Sequence, residues 1–178
     1  MNQMVTMMSK TVKVNLSVNS IKKACKELKL YKEQIRFKTS IFVQRLSELG
    51  VRVIDAHKYS HGDSDFNDLH TYAWLEESGS KVKVTLVLYG KDVAFIEFGA
   101  GVAYNGAGGT SPNPYGQPLG MIIGSYGKGH GLEDYWFYLD DETNEWVMSK
   151  GTEAAMPMYY ADTEIHKQFI EIAKEVFK

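Results

Sequence analysis

The sequence predicts an α+β fold, in which an antiparallel β-sheet of about four to six strands packs against two N-terminal helices and one C-terminal helix. Residues 81–88 alternate apolar and polar side chains, which is typical of a strand with one buried face. Residues 157–176 instead space their apolar side chains three and four apart, as on one stripe of a helix. The predicted strands follow one another between predicted helices, an order that favours helices packed on an antiparallel sheet.

The first third of the chain is predicted to hold a strand and two helices. Residues 11–18 alternate as a strand does, and Asn19 and Ser20 then offer capping oxygens before a first helix. A longer amphipathic helix is expected from Ile35 to near His57. The apolar positions behind these predictions are Val12, Val14, Leu16 and Val18 in the strand, Ile21, Ala24, Cys25 and Leu28 in the first helix, and Phe42, Leu46, Leu49 and Val53 in the second. Cys25 is therefore expected to fill the core.

Five further strands and a final helix are predicted after a polar connection. Residues 69–76, 81–89 and 93–98 form an expected meander, because the breaks between them are short. Residues 135–139 and 145–148 flank an acidic turn at 140–144 and are expected to form a hairpin. Pro157 suits the first turn of the C-terminal helix.

Length and composition indicate one intracellular domain. The 178 residues, 44% of them hydrophobic, suffice for one core at residues 11–178, preceded by a disordered start at 1–10. No apolar run approaches the roughly 18 residues of a membrane span, and no secretory signal is evident. A lone cysteine excludes an internal disulfide framework and a zinc finger.

Residues 99–131 stand apart in composition. They contain eleven of the 16 glycines and three of the four prolines, with Lys128 as the only formal charge. A loop of this length in a small domain is functional or flexible. Its interleaved tyrosines and aliphatic residues favour a surface that becomes ordered against a partner.

Charge is distributed unevenly along the chain. Residues 1–58 hold 12 Lys and Arg against 4 Asp and Glu, whereas residues 59–178 hold 8 against 18. The basic third could contact an acidic partner, bind a second copy head to tail, or simply be a solvated helix face. It could also contact nucleic acid, but no reading motif is present and the sequence pI of about 6.2 argues against a dedicated binder. The predicted basic face comprises Lys22, Lys26, Lys29, Arg36 and Arg45.

No motif for catalysis, metal or cofactor binding is complete. Tyr104 stands where a dinucleotide fingerprint needs its third glycine, and Gly129 replaces the Ser or Thr of a phosphate loop. The calcium-like spacing of Asp63, Asp65 and Asn67 lacks the later glycine and glutamate. His70, His130 and Glu97 have the side chains of acid–base groups, but such isolated residues are more often structural. We expect no catalytic residue, no metal and no cofactor.

Five motifs in order support a resemblance that covers nearly the whole chain. They are FIEFGAG at 95–101, YGQPLG at 115–120, GSYGKGHG at 124–131, YWFY at 135–138 and GTEAAMPM at 151–158. Together they resemble minor structural proteins of long-tailed bacteriophages and prophages, the family of head–tail joining, tail-completion or tail-terminator components. This resemblance implies a non-enzymatic subunit that assembles as a ring between capsid and tail tube.

The resemblance and the residues together predict the partners and the contact surfaces. The partners would be further copies of the chain and neighbouring neck or tail-tube proteins, first in the bacterial cytoplasm and then in the virion at the capsid–tail junction, with no membrane contact. The alternative is a nucleic-acid-binding accessory protein that uses the Lys-rich helices. The predicted protein–protein interface comprises Phe98, Gly99, Gly101, Tyr104, Tyr115, Tyr126, Lys128 and His130.

Overall fold

The fold is α+β, as predicted, with helices and two small antiparallel sheets of two strands each. The computed structural model describes residues 11–58, 68–79, 81–99, 111–119, 135–140, 143–149 and 152–178. Its elements are α1 (Val18–His57), β1 (His70–Ser78), β2 (Lys81–Tyr89), α2 (Val93–Phe98), a 3₁₀ turn (Gln117–Leu119), β3 (Trp136–Leu139), β4 (Trp146–Ser149) and α3 (Pro157–Val176). The predicted single sheet of about four to six strands is not confirmed, because the four described strands form two separate antiparallel pairs.

A single helix replaces the two predicted N-terminal helices. Helix α1 is 40 residues long, and the Ser17 hydroxyl caps it by accepting from the Ser20 N–H at 3.3 Å. Residues 29–34, between the two expected helices, contain no Gly or Pro and are mostly good helix formers, so nothing interrupts the backbone hydrogen bonds. At the other end the Lys58 N–H donates to the Ile54 carbonyl at 2.9 Å.

The predicted strand at 11–18 and the predicted burial of Cys25 are wrong. Residues 11–17 form no strand, Leu16 is fully exposed, and Val18 already belongs to α1. An alternating pattern makes a strand only where a neighbouring strand satisfies its backbone groups. Cys25 is exposed on the N-terminal part of α1.

The β1–β2 hairpin agrees with the predicted pattern. His70 pairs with Tyr89 and Ser78 with Lys81, around a turn in which Gly79 adopts φ +59°. The even-numbered side chains of β2 are half-buried from Val82 to Leu88, whereas Lys83 and Thr85 are exposed. One face of this sheet lies against α1.

The main packing joins α3, β2 and the second half of α1. Phe42 of α1 meets Phe169 of α3 edge to face, with ring centroids 5.0 Å apart, and Ile54 is fully buried. At Gly50 an added Cβ would clash with Leu86 of β2 and lie 2.9 Å from the Ile165 Cδ1 of α3. Glycine at this position therefore allows the three elements to approach closely.

Residues 93–98 form the short helix α2, so the predicted strand there is wrong. The N–H groups of Phe95 and Ile96 both donate to the Asp92 carbonyl, at 2.8 and 3.2 Å. Ile96 and Glu97 are consecutive and both buried. Successive side chains of a strand point to opposite faces, so a strand with one solvent-exposed face would expose one of the two. Ile96 packs with Leu69 and Ala155 in a small core cluster.

The C-terminal hairpin and helix are confirmed. Strands β3 and β4 pair antiparallel from Trp136↔Ser149 to Leu139↔Trp146. Pro157 stands in the first turn of α3, as predicted. None of the described helices is both long and apolar enough to cross a lipid bilayer.

Candidate assembly site

Most of the predicted loop interface lies outside the described residues. This applies to Gly101, Tyr104, Tyr126, Lys128 and His130. The structure does place the remaining three. Phe98 is half-buried at the end of α2, Gly99 follows it at φ +76°, and Tyr115 is exposed in the described segment 111–119.

A buried carboxylate organises this region. Glu97 of α2 accepts hydrogen bonds from the N–H groups of Met158 and Tyr159 at 2.8 and 3.0 Å, and from the Asn113 side-chain amide at 2.8 Å. Met158 and Tyr159 lie in the first turn of α3, whose own N-cap residue, Met156, supplies no capping side chain. Glu97 therefore caps α3 from a position about 60 residues earlier in the chain, and its charge lies at the positive end of the helix dipole. We call Glu97, Asn113 and the first turn of α3 the Glu97 junction.

The protonation of Glu97 reflects two opposing effects. Burial raises the pKa of this carboxyl, because removal from water disfavours the charged form. The three hydrogen bonds act in the opposite direction and favour the carboxylate. The net pKa lies above the ordinary glutamate value.

The segment 111–119 is held to α2 by polar contacts. The Ser111 hydroxyl donates to the Phe98 carbonyl, and the buried Asn113 donates to Glu97. The Asn113 side-chain oxygen accepts from the Tyr115 N–H at 3.0 Å, and its backbone carbonyl accepts from Gly116 at 2.9 Å. These bonds fix the backbone that carries Tyr115, whose ring lies edge to face with that of Tyr159.

An open apolar cavity of about 490 Å³ adjoins the junction. Its wall includes Val93, Phe98, Tyr115, Met158 and Tyr159. Both Glu97 oxygens are already engaged by backbone or amide donors. The exposed ring of His70 lies against Tyr89, and no hydrogen bond between His70 and Glu97 exists within the described chain. The cavity wall suits apolar contact with a ligand or partner. Glu97 joins the parts of this wall, since it binds both Asn113 and the first turn of α3.

The predicted basic face is split by the structure. Lys22, Lys26, Lys29 and Arg36 follow at steps of four, three and seven, so they share one side of α1. Arg45, nine residues further, points to a different side and pairs with Glu175 of α3 at 2.9 Å. Arg36 pairs with Glu77 of β1 at 3.4 Å. The three lysines are exposed and form no ion pair within the described part of the chain.

The sequence analysis missed an exposed apolar face of the C-terminal hairpin. In the β3–β4 register, Phe137 lies opposite Met148 and Leu139 opposite Trp146, so these four side chains share one face. All four are exposed, Trp146 by 71% and Phe137 by 56%. We call this face the hairpin patch. The signal was present in the sequence, since both strands place apolar residues at the positions of one face, but the sequence analysis predicted only the hairpin and did not single out this face.

No group of three or more His, Cys, Asp or Glu within the described residues is arranged to hold a metal ion. The calcium-like residues Asp63, Asp65 and Asn67 fall outside those residues. Comparison of the chain with protein-family models, with curated proteins and with solved structures gives no match in any of the three.

Proposed function

We propose that this protein is a structural subunit of the neck of a long-tailed phage or prophage, a head–tail joining or tail-completion component that assembles as a ring. The observation that carries the proposal is that two elements of the described fold each expose several large apolar side chains on one face. Soluble monomers rarely expose such patches, which are typical of protein–protein interfaces. The subunit would act by contact alone, without catalysis.

Two separate elements contribute this uncovered surface. One is the hairpin patch on β3 and β4. The other is the first half of α1, where the apolar stripe containing Ile21, Leu28 and Ile35 is exposed. A ring whose subunits pack head to tail requires two different surfaces on each copy, and two such surfaces are available here.

The Glu97 junction supports a role for the glycine-rich segment in contacts. The described part, 111–119, is fixed to α2 and to the start of α3, both of which belong to the motifs of the phage resemblance. A fixed base allows a long loop to present tyrosines such as Tyr115 in a defined direction. We assign residues 99–131 to contacts with neighbouring neck or tail-tube proteins.

A second candidate function is favoured by one observation. Lys22, Lys26 and Lys29 are exposed on one side of α1 and could contact successive phosphates of nucleic acid. Such binding would weaken steeply with salt, and the changes Lys22→Gln and Lys26→Gln would each reduce the slope by about one unit. If the protein binds neither duplex DNA nor duplex RNA at low salt, this candidate function is eliminated.

The experiment that tests the proposed function is electron microscopy of an induced lysate. A prophage with this gene deleted should give filled heads separated from tails, or tails of uncontrolled length, and a wild-type copy of the gene should restore joined particles. The paired change Phe137→Gln and Trp146→Gln should fail to restore them. His166→Gln, at an exposed position on α3, serves as the matched control. Normal infectious particles from the deletion would refute the virion role.

A further inference from the structure

The two uncovered surfaces differ in shape and charge. Helix α1 runs past the end of α3, because the Lys38 ammonium donates to the Lys178 carbonyl at 2.6 Å and α1 begins 20 residues before Lys38. At 1.5 Å per residue, this α1 extension (residues 18–37) is roughly 30 Å long. It carries six Lys and Arg against two Glu.

The apolar stripe of the α1 extension continues the stripe that is covered elsewhere on the same helix. Ile21, Leu28 and Ile35 are spaced by seven, and the next member of the series is Phe42, which packs on Phe169 of α3. In the extension these three large side chains are exposed, with Leu28 accessible by 53%, whereas the small side chain of Ala24 between them is buried. The basic side that contains Lys22, Lys26 and Lys29 lies next to it on the helix surface. A partner must therefore offer an apolar face with acidic edges.

The hairpin patch has those properties. Its four apolar side chains lie on one face of a two-stranded ribbon, which is marginally stable by itself in water. Among the described elements, the substantial packing of β3 and β4 is with each other. Residues 132–149 contain six Asp and Glu and no Lys or Arg, and Asp140 and Glu145 stand at the turn end of the hairpin, directly after β3 and directly before β4.

We infer that the α1 extension of one copy packs on the hairpin patch of a second copy. Apolar side chains would be buried on both sides, while the basic side of the helix meets the acidic turn end of the hairpin. The contact is heterologous, since each copy gives a helix to one neighbour and a hairpin to the other. This inference rests on the proposed assembly function, and it names the two surfaces that join the subunits.

Two variants of the 178-residue chain each remove one surface. Ile21→Gln with Leu28→Gln disables the extension, and Trp146→Gln with Met148→Gln disables the hairpin patch. Leu30→Gln is the matched control, because Leu30 is exposed by 50% on the opposite side of the same helix. Circular dichroism confirms that each variant is folded. Should a glutamine variant fail to fold, Lys22→Glu with Lys26→Glu tests the extension and Glu145→Lys tests the hairpin.

Sedimentation velocity over a concentration series gives the decisive readout. We expect the wild type and the Leu30→Gln control to form larger assemblies, and each disabled variant alone to stay monomeric. An equimolar mixture of the two disabled variants should stop at a dimer, because one intact helix meets one intact hairpin and no surface remains for a third copy. Only a heterologous contact gives a species of twice the monomer mass in the mixture when each variant alone has the monomer mass.

Three results would overturn the inference. They are a wild type that is monomeric at every concentration, disabled variants that assemble as the wild type does, and a mixture that stays monomeric. These outcomes are distinguishable from failure of the proposed function, since microscopy of the deletion lysate reports the virion role independently. Separated heads and tails together with a monomeric purified protein would retain the neck role and eliminate this contact between copies.

Discussion

The two halves of helix α1 share one apolar period but differ in what covers them. Of the five buried residues in α1, four lie at 38–57 and only Ala24 lies at 18–37. In the second half the stripe meets α3 and β2, as at Phe42 and Gly50. In the first half the corresponding residues are exposed. An amphipathic pattern therefore indicates that a helix has a partner, without indicating whether that partner belongs to the same chain.

The largest expected effect lies in the covered half. Ile54→Ala removes a fully buried side chain from the second half of α1. We expect the free energy of unfolding to fall by about 3 kcal/mol, since both apolar burial and close packing are lost. Urea-induced unfolding followed by circular dichroism measures it. A loss under about 1 kcal/mol would mean that this half is packed as loosely as the other.

A smaller loss is expected at the Glu97 cap, which joins the start of α3 to α2. Glu97→Ala leaves the N–H groups of Met158 and Tyr159 and the Asn113 amide without their acceptor. The expected cost is about 2 kcal/mol, and Glu97→Gln, which keeps one oxygen, should cost less. Hydrogen exchange at Met158 and Tyr159 locates the change. Unaltered protection of both amides in Glu97→Ala would contradict the capping role.

The pH dependence of stability tests the same carboxyl. Burial raises the pKa of Glu97 in the folded protein, so the folded state holds this proton more tightly than the unfolded chain does. Its contribution to stability is complete below the ordinary glutamate pKa and is lost as the pH rises through the raised value.

Lowering the pH from 7 toward 5 should therefore stabilise the wild type relative to Glu97→Gln. Carboxyls with lowered pKa values, such as Asp55, are present in both proteins and cancel in the difference. Parallel unfolding midpoints across this range would refute the assignment.

The smallest effect is expected in the uncovered half. Leu28→Ala at low protein concentration should change the free energy of unfolding by no more than about 0.5 kcal/mol, because the side chain has little intramolecular packing to lose. Thermal unfolding of dilute protein provides the measurement. A loss comparable to that of Ile54→Ala would show that the extension is covered within its own chain, and the contrast between the two halves would disappear.

Long, regular patterns were the predictable part of this fold. The C-terminal helix was recognisable from its spacing and from Pro157, and β2 from its strict alternation. The run 93–98 is short and mostly apolar, so its period does not distinguish a strand from a helix turn. The turn at Asp92, with φ +59°, and the hydrogen bonds from Phe95 and Ile96 determine the helical outcome.

The candidate site was harder to predict because it depends on contacts distant in sequence. Glu97 was recognised as an isolated acid, but its role depends on α3 and on Asn113. One weak signal existed: α3 begins without Ser, Thr, Asp or Asn at its N-cap, so an acceptor from elsewhere was needed. Cys25 was misplaced for a related reason, since helical spacing does not reveal where the covering helix ends.

The contact between Lys38 and Lys178 has a consequence for the order of folding. This pair is separated by 140 positions in the sequence, and Arg45 and Glu175 by 130. Helix α1 is synthesised before every other described element, and the helix that covers it comes after all of them. During translation the apolar stripe at 38–57 therefore remains without α3 until the end of the chain is synthesised. Proteins with such distant contacts fold slowly. A nascent chain that stalls before residue 157 would expose the part of this stripe that α3 covers, which makes it a natural substrate for chaperones.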